Sequence, residues 1–195
     1  VSILSWNVGY AGLGEESDFF MDGGKQTRAP SKAIVEKNMD GIVATVQGMA
    51  ADFTFLQEID AGPSTHAYGI EEAGRLRTET QLDSAHALNY KCAFVPYPIP
   101  PIGRVNTGLM TLSTAPIASA ERIALPSPFK WPVSVANLKR CLMPVYIDLE
   151  GTDAQLVLVN LHLEAYDDGE GKAAQTAALT SFLEQEYAKG NYVIA

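Results

Sequence analysis

At 195 residues, with 47% hydrophobic and 19% charged side chains, the chain has the composition of one globular domain with a sizeable core. These fractions exclude a disordered polymer and an integral membrane protein. The formal net charge of −9 argues against a protein that holds nucleic acid non-specifically through a basic surface, although a bound cation would supply local positive charge to a metal-dependent nuclease.

Two further features bound the class of protein. No apolar run is long enough to span a bilayer and no secretory leader is visible, so we expect a soluble chain, either cytoplasmic or secreted after processing. The two cysteines, Cys92 and Cys141, lack the spacing of a metal site or a disulfide framework. We therefore expect two buried free thiols.

The first predicted element is a strand over Ser2–Val8, which is apolar until Asn7. The glycine-rich, partly acidic segment Tyr10–Pro30 follows. Beside a site it would be a loop on the substrate side, and elsewhere it would be a solvated insertion.

An amphipathic helix is predicted over Met39–Ala50 from apolar residues that repeat with the helical period. The same pattern allows an earlier start, capped by Ser31. Gly41 weakens the helix and permits a break there.

Within the stretch Phe53–Asp60, the apolar run Phe53–Leu56 reads as a short buried strand and ends in Gln57 and Glu58. A carboxylate at the exit of such a strand is costly unless it faces water or binds a cation. Glu58 is therefore either the first solvated residue after the strand or part of a site.

The central part of the chain predicts a loop, a helix and a hairpin. Asp60–Arg77 is expected to be a loop bordering the pocket, in which His66, Tyr68, Arg75 and Arg77 are weak candidates for phosphate contacts. The next predicted elements are a helix over Thr78–Leu88, with His86 on its surface, and a strand over Tyr90–Tyr97. A hairpin is then predicted between the strands Asn106–Ser113 and Ile117–Ala124, and Gly108 marks a bulge or close approach in the first of these.

The carboxy-terminal part predicts three strands and a helix. A surface loop at Pro126–Leu138, carrying Phe129 and Trp131, leads through Arg140 into a strand over Cys141–Leu149. The elements that follow are a strand over Gln155–Leu163, a helix over Lys172–Tyr187 and a strand over Asn191–Ala195.

Three of the predicted strands run from apolar residues into polar ones. They end in Asn7, in Glu58 and in His162, and alternation places Asn160 on the same face of its strand as His162. Because ligands collect where strand ends converge, we predict that Asn7, Glu58 and His162 form a single site.

The residues at these strand ends also resemble a known family. Ser5-Trp6-Asn7, Leu56-Gln57-Glu58 and Asn160-Leu161-His162-Leu163 resemble, in order and context, the first three signatures of the endonuclease/exonuclease/phosphatase superfamily. That superfamily includes pancreatic deoxyribonuclease, abasic-site endonucleases, neutral sphingomyelinases and inositol polyphosphate phosphatases. Each tripeptide is weak alone, but the ordered set is specific.

The resemblance implies a divalent-metal-dependent hydrolase of phosphodiester or phosphomonoester bonds. In this chain Glu58 and Asn7 would hold Mg2+, or alternatively Mn2+. His162 would contact the scissile phosphate, Arg140 would lie near it, and Asn160 would bind substrate. The substrate would be a nucleic acid, a phospholipid or an inositol phosphate.

The resemblance also implies the fold and an incomplete site. We expect an α+β fold, the amino-terminal part of a four-layer α/β/β/α sandwich with mixed, mainly antiparallel sheets. The family's later Gly-Asp-x-Asn and Ser-Asp-His motifs are missing, so residues 1–195 would be a single truncated domain with little activity alone. Such a domain would leave one apolar sheet face uncovered, through which the chain could self-associate.

Two other classes of protein stay open. One is a catalytically dead binding or interaction module on the same scaffold, which would show no Mg2+-dependent activity. The other is an unrelated α/β domain, in which Asn7, Glu58 and His162 are satisfied core groups that lie far apart.

Overall fold

The computed structural model describes residues 1–20, 23–131, 137–165 and 169–195. The α-helices are α1 (Lys32–Met49), α2 (Glu72–Thr80) and α3 (Glu170–Ala188), and a short 3-10 helix spans Gly9–Ala11. The strands are β1 (Ile3–Asn7), β2 (Phe53–Asp60), β3 (Asp83–Val95), β4 (Gly103–Ser113), β5 (Ser119–Ala120), β6 (Ile123–Ala124), β7 (Cys141–Asp148), β8 (Gln155–Leu161) and β9 (Tyr192–Ile194).

The strands form two sheets. The first has the order β1-β2-β4-β3, in which β1 and β2 are parallel and the other pairs are antiparallel. In the second, β7 pairs antiparallel with β5 and β6 on one side and with β8 on the other, and β9 lies parallel to β8. Both sheets are therefore mixed and mainly antiparallel.

The apolar side chains sort into layers by strand alternation. Phe53, Phe55 and Leu109 of the first sheet pack against Met143 and Val145 of the second, so the two sheets face each other across a buried core. This arrangement places two sheets between helices and confirms the predicted four-layer α+β fold.

Helices cover the outer faces of both sheets. Met39 and Val43 of α1 pack with Leu56 and Met110 on the first sheet. On the second sheet, Phe182 of α3 packs in the cluster that the outward residues of β7 and β8 form. The predicted uncovered sheet face is therefore wrong for the part of the chain that the structure describes. At the ends of the strand order, β1 and β9 each have one edge that no described strand pairs.

The first helix starts where the alternative prediction put it. Ser31 has extended backbone and accepts a hydrogen bond from the Ile34 N–H at 3.2 Å, which caps α1 at its N-terminus. No break occurs at Gly41, because the buried stripe of Val35, Met39 and Val46 continues on both sides of it.

The helix predicted over Thr78–Leu88 is wrong. The helix in this region is α2, which lies partly within the predicted loop Asp60–Arg77 and ends at Thr80. Gln81 has φ +57°, in the left-handed region that ends a helix, and β3 begins two residues later. His86 consequently lies in a strand opposite Met110, because pairing with β4 overrides the weak local preference.

The hairpin predicted for Ile117–Ala124 is also wrong. β5 and β6 pair with β7 in the second sheet, since β4 is already paired on both of its edges by β2 and β3. Of the two free cysteines, Cys141 is buried as predicted, whereas Cys92 is only half-buried.

Residues 21–22, 132–136 and 166–168 lie outside the described residues, and the first two of these ranges belong to predicted loops. Trp131, beside the second of these gaps, is 82% exposed. Within the described ranges, none of the helices is both long and apolar enough for a membrane span.

Candidate active site

An open cleft of about 780 Å³ lies where β1, β2 and β8 end. The structure brings Asn7, Glu58, Arg140 and His162 together in its lining. Residues that we did not predict also line it, among them Trp6, Tyr10, Lys37 and Asn38. The convergence of three strand ends thus produces one concave surface with two cationic groups, a carboxylate and an imidazole.

Glu58 lies at a β-bulge in β2. The register with β4 shifts between Gln57 and Ile59, and Glu58 adopts φ +55°, which is rare for a residue other than glycine. Bulges re-aim a side chain at the edge of a site, and a left-handed non-glycine residue costs about 1–3 kcal/mol. The Glu58 side chain is 19% exposed. The backbone is therefore strained where the carboxylate meets the cleft.

Gly108 of β4 lies beside this bulge. It is the partner of Ile59 in β2 and of Leu88 in β3, and the register of β3 shifts after Leu88 as well. A Cβ atom on Gly108 would lie 1.9 Å from the carbonyl oxygen of Ala87. The predicted close approach at Gly108 is confirmed, and only glycine permits it.

His162 follows the last residue of β8, and its Nδ1 lies 3.8 Å from Oε1 of Glu58. That separation is too long for a direct hydrogen bond. Burial, and after it the positive charge of Arg140, lower the pKa of His162 to about 4, against a smaller opposing effect of Glu164. The imidazole is therefore neutral at pH 7, with one nitrogen that donates and one that accepts.

Arg140 immediately precedes β7, and its side chain is only 3% exposed. Its Nε lies 3.7 Å from Oε2 of Glu164 and has no hydrogen-bond partner among the described residues. A buried guanidinium is costly without an anion, and the long contact with Glu164 leaves donor capacity unused. An anionic ligand in the cleft could accept from it.

Asn7 is held by the turn that follows β1. Its Oδ1 accepts a hydrogen bond from the Gly9 N–H at 3.0 Å. Gly9, Tyr10 and Ala11 have φ values of 54°, 54° and 49°, so the chain makes a left-handed turn at the cleft. Asn38 supports the turn from α1 by donating to the Ala11 carbonyl at 2.8 Å. The Asn7 oxygen keeps a second lone pair for another partner.

Asn160 is not among the residues that line the cleft. Its Nδ2 donates to the carbonyls of Leu56 at 3.1 Å and Met110 at 2.9 Å, and its Oδ1 accepts from Nε2 of Gln57 at 2.8 Å. The residue is 1% exposed. Asn160 therefore ties β8 of the second sheet to β2 and β4 of the first, and donating to a substrate would break one of these bonds.

The candidates in the predicted loop Asp60–Arg77 do not line the cleft. Arg75 in α2 forms ion pairs with Asp40 and Glu79. His66 Nε2 lies 2.9 Å from Oδ2 of the fully buried Asp60. Neither is among the cleft-lining residues, and the same holds for Tyr68 and Arg77.

Tyr10 is the cleft residue that sequence reasoning missed most clearly. Its ring packs edge-on against His66 with centroids 4.7 Å apart. Burial raises the pKa of the Tyr10 phenol well above its usual range, and the Glu58 carboxylate adds to this, so the phenol stays protonated. Its position three residues after Asn7, the site residue that ends a strand, was the available signal.

The cleft supplies few ligands for a metal ion. Within the described ranges, no group of three or more His, Cys, Asp and Glu side chains is arranged to hold one. Glu58 and Asn7 contribute a carboxylate and an amide oxygen. Mg2+ is commonly bound by one or two carboxylates together with waters and substrate phosphate, so this donor set fits an open, water-rich site.

Comparisons with known proteins identify the fold. No protein-family model and no curated protein matches the chain. Among solved structures, an endonuclease/exonuclease/phosphatase from Beutenbergia cavernae matches with a TM-score of 0.61 at 19% identity, over 92% of this chain and 43% of that chain. The human Nocturnin catalytic domain with bound sulfate matches with a TM-score of 0.60 at 15% identity, over 95% and 58%.

A third match is TDP2 from D. rerio in complex with a single-strand DNA product, with a TM-score of 0.56 at 14% identity, over 94% of this chain and 54% of that chain. The chain thus spans only about half the length of these three proteins. At identities this low, the structural matches establish the fold alone. The activity has to be argued from the site.

Proposed function

Because the chain has the fold of the endonuclease/exonuclease/phosphatase proteins, we propose that its cleft binds and hydrolyses phosphate esters with the help of a divalent cation. The observation that carries the proposal is the meeting of Glu58 and His162, 3.8 Å apart, in a cleft that Arg140 and Asn7 also line. Carboxylate, imidazole and guanidinium are the groups that such a reaction needs.

Arg140 and His162 are proposed to hold the phosphate. The guanidinium is fixed by burial beside Glu164, so its donors are oriented before a ligand arrives. His162 is neutral at pH 7 and offers one N–H donor to a phosphoryl oxygen. Donors that are already oriented stabilise the negative charge that builds up on these oxygens in the transition state.

Glu58 and Asn7 are proposed to hold Mg2+, with Mn2+ as a substitute. When bound, the ion would neutralise phosphate oxygens and polarise the ester. The bulge at Glu58 directs the carboxylate to the cleft, and the turn after β1 fixes the Asn7 side chain.

Support for a nucleic-acid ester comes from one comparison, because TDP2 from D. rerio was crystallised with a single-strand DNA product. The net charge of −9 disfavours a long polyanion held by charge alone. We propose that recognition is confined to the cleft and its immediate surroundings.

The test is hydrolysis of a phosphodiester and a phosphomonoester with Mg2+ by the wild type, Glu58→Gln and His162→Gln. Each substitution is expected to lower kcat by about 100-fold or more, the loss typical of a removed transition-state contact. Glu150→Gln is the matched control, because this exposed residue lies beyond β7 at the opposite end of the sheet. Turnover that survives Glu58→Gln would remove Glu58 from the mechanism.

The same assay separates the alternative of a binding module. A binding module would bind phosphate esters without any Mg2+-dependent turnover. Glu58→Gln or His162→Gln would then weaken that binding.

A further inference from the structure

A second cavity, of about 150 Å³, lies next to the cleft. Gly9, Tyr10, Leu13, Phe19 and Leu138 line both spaces, so the Tyr10 turn forms the wall between them. A molecule with its phosphate in the cleft could therefore extend past Tyr10 into the cavity.

The lining of this cavity is mainly apolar and aromatic. Among the described residues it includes Phe19, Phe20, Tyr90, Ile102 and Val105. The rings of Phe19 and Phe20 meet edge-on with centroids 5.0 Å apart. The lining also includes the polar residues Arg28, His66 and Glu164. The aromatic side chains favour a flat ring that stacks on them over a polyhydroxylated ring, which has no flat face.

The size of the cavity limits the ring. A dry protein cavity of about 150 Å³ is known to accept benzene, so the space suits one six-membered ring with its substituents and is small for two fused rings.

A buried hydroxyl group in the lining, that of Thr27, lacks a partner among the described residues. Thr27 is 2% exposed. Leaving a buried hydroxyl unpaired is unfavourable, and a ring with carbonyl or N–H groups would remove that cost. A plain hydrocarbon ring would leave it in place.

We propose that this cavity binds the pyrimidine ring of a nucleoside phosphate whose phosphate lies in the neighbouring cleft. The inference rests on the proposed function for the position of the phosphate. It adds that the substrate is a nucleotide or the end of a nucleic-acid strand, and that the cavity favours a pyrimidine over a purine.

The experiment measures binding by isothermal titration without any turnover, using uridine 5′-monophosphate, adenosine 5′-monophosphate, phenyl phosphate and ribose 5-phosphate. Uridine 5′-monophosphate is expected to bind about tenfold more tightly than ribose 5-phosphate, as ring stacking predicts. Phenyl phosphate and adenosine 5′-monophosphate are expected to lie between them. Equal binding of all four would overturn the proposal, and tighter binding of the adenosine nucleotide would overturn the pyrimidine preference.

Two matched variants locate the effect. Ile102→Trp fills the cavity and is expected to abolish the advantage of uridine 5′-monophosphate. Ile99→Trp makes the same change three residues away at a position that is 94% exposed, and should leave the advantage intact. If Ile102→Trp does not fold, Phe20→Ala replaces it, because Phe20 lines only the cavity and its loss should weaken nucleotide binding severalfold. An advantage that survives the cavity variant would contradict the proposal.

Failure of this inference can be told apart from failure of the proposed function. If the protein hydrolyses esters with Mg2+ but binds the uridine nucleotide and ribose 5-phosphate equally, the phosphoesterase proposal stands and the ring-binding proposal is wrong. If Ile102→Trp abolishes nucleotide binding and no ester is hydrolysed, the ring-binding proposal stands and the phosphoesterase proposal is wrong. Thr27→Val should bring uridine 5′-monophosphate close to phenyl phosphate in affinity, and no change would overturn the role given to Thr27.

Discussion

Glu58 at the bulge of β2 and Asn160 in the facing strand β8 are both polar residues near the end of an apolar strand, and the protein holds them in opposite ways. Asn160 is 1% exposed and makes three hydrogen bonds to the other sheet. Glu58 has φ +55° and a side chain that is 19% exposed in the cleft. A polar group with all partners satisfied stabilises the sheet packing, whereas a strained and accessible one is available for chemistry.

The largest effect is expected where the sheet supports the Glu58 bulge. Gly108→Ala would place a Cβ atom 1.9 Å from the Ala87 carbonyl oxygen, so β3 and β4 must separate. We expect the free energy of unfolding to fall by about 3 kcal/mol in urea denaturation. Gly41→Ala is the control, since nothing lies within 4 Å of its added Cβ, and it should raise stability by about 1 kcal/mol. Similar stability of the two variants would contradict the close approach.

Asn160→Ala should be the next most damaging change. It removes three hydrogen bonds and leaves buried groups of Gln57, Leu56 and Met110 without this partner, at a cost of about 2–3 kcal/mol in unfolding free energy. Glu58→Gln should change stability by less than about 0.5 kcal/mol, because it removes none of those bonds. If Asn160→Ala were as stable as Glu58→Gln and lost only ligand affinity, Asn160 would be a substrate contact after all.

A third polar residue, the half-buried His86, should make stability depend on pH. Burial, and after it the positive charge of Arg77, lower the pKa of His86 to about 4. The unfolded chain therefore binds more protons than the folded one between about pH 6.5 and 4, so stability is full above that window and falls as the pH drops through it. His162 contributes in the same direction.

The measurement is urea unfolding at several pH values for the wild type and His86→Leu. The substitution should reduce the loss between pH 6.5 and 4 by about 2 kcal/mol. An unchanged pH profile would mean that His86 is not held in its neutral form by burial.

The smallest effect concerns the backbone of Glu58 itself. Glu58→Gly should raise the unfolding free energy by about 1 kcal/mol, because glycine accepts a positive φ without strain. Glu58→Ala keeps the strain and removes the same carboxylate, so it should show no such gain. Equal stability of the two variants would show that the bulge carries no strain.

The strands and the helix start that could be predicted from sequence are those with a local pattern, such as an apolar run, alternating apolar residues or a capping residue. Phe53–Leu56 and the alternating residues of Gln155–Leu161 specify buried strands wherever they pair, and Ser31 marks a helix start by its own hydrogen bond. Local patterns of this kind also placed Asn7, Glu58 and His162 at strand ends.

Features that depend on distant partners were not accessible from sequence. His86 was predicted in a helix but lies in β3, because that segment pairs with β4. Ile123 pairs with Leu142 because β7 has an edge free to receive it. Tyr10 enters the site through a left-handed turn that its residue type disfavours. In sequence, Asn160 and Glu58 are both polar residues near the end of an apolar strand. Which of the two is buried depends on contacts with the opposite sheet, and the sequence of either strand does not contain that information.

The most direct test of the account asks whether Glu58 and His162 face one ion and one phosphate. Traces of Mn2+ should broaden the imidazole NMR signals of His162 and the phosphorus signal of added phosphate, and Glu58→Gln should restore both to their widths without Mn2+. Broadening that leaves His162 untouched, or that persists unchanged in Glu58→Gln, would contradict a shared phosphate and metal site.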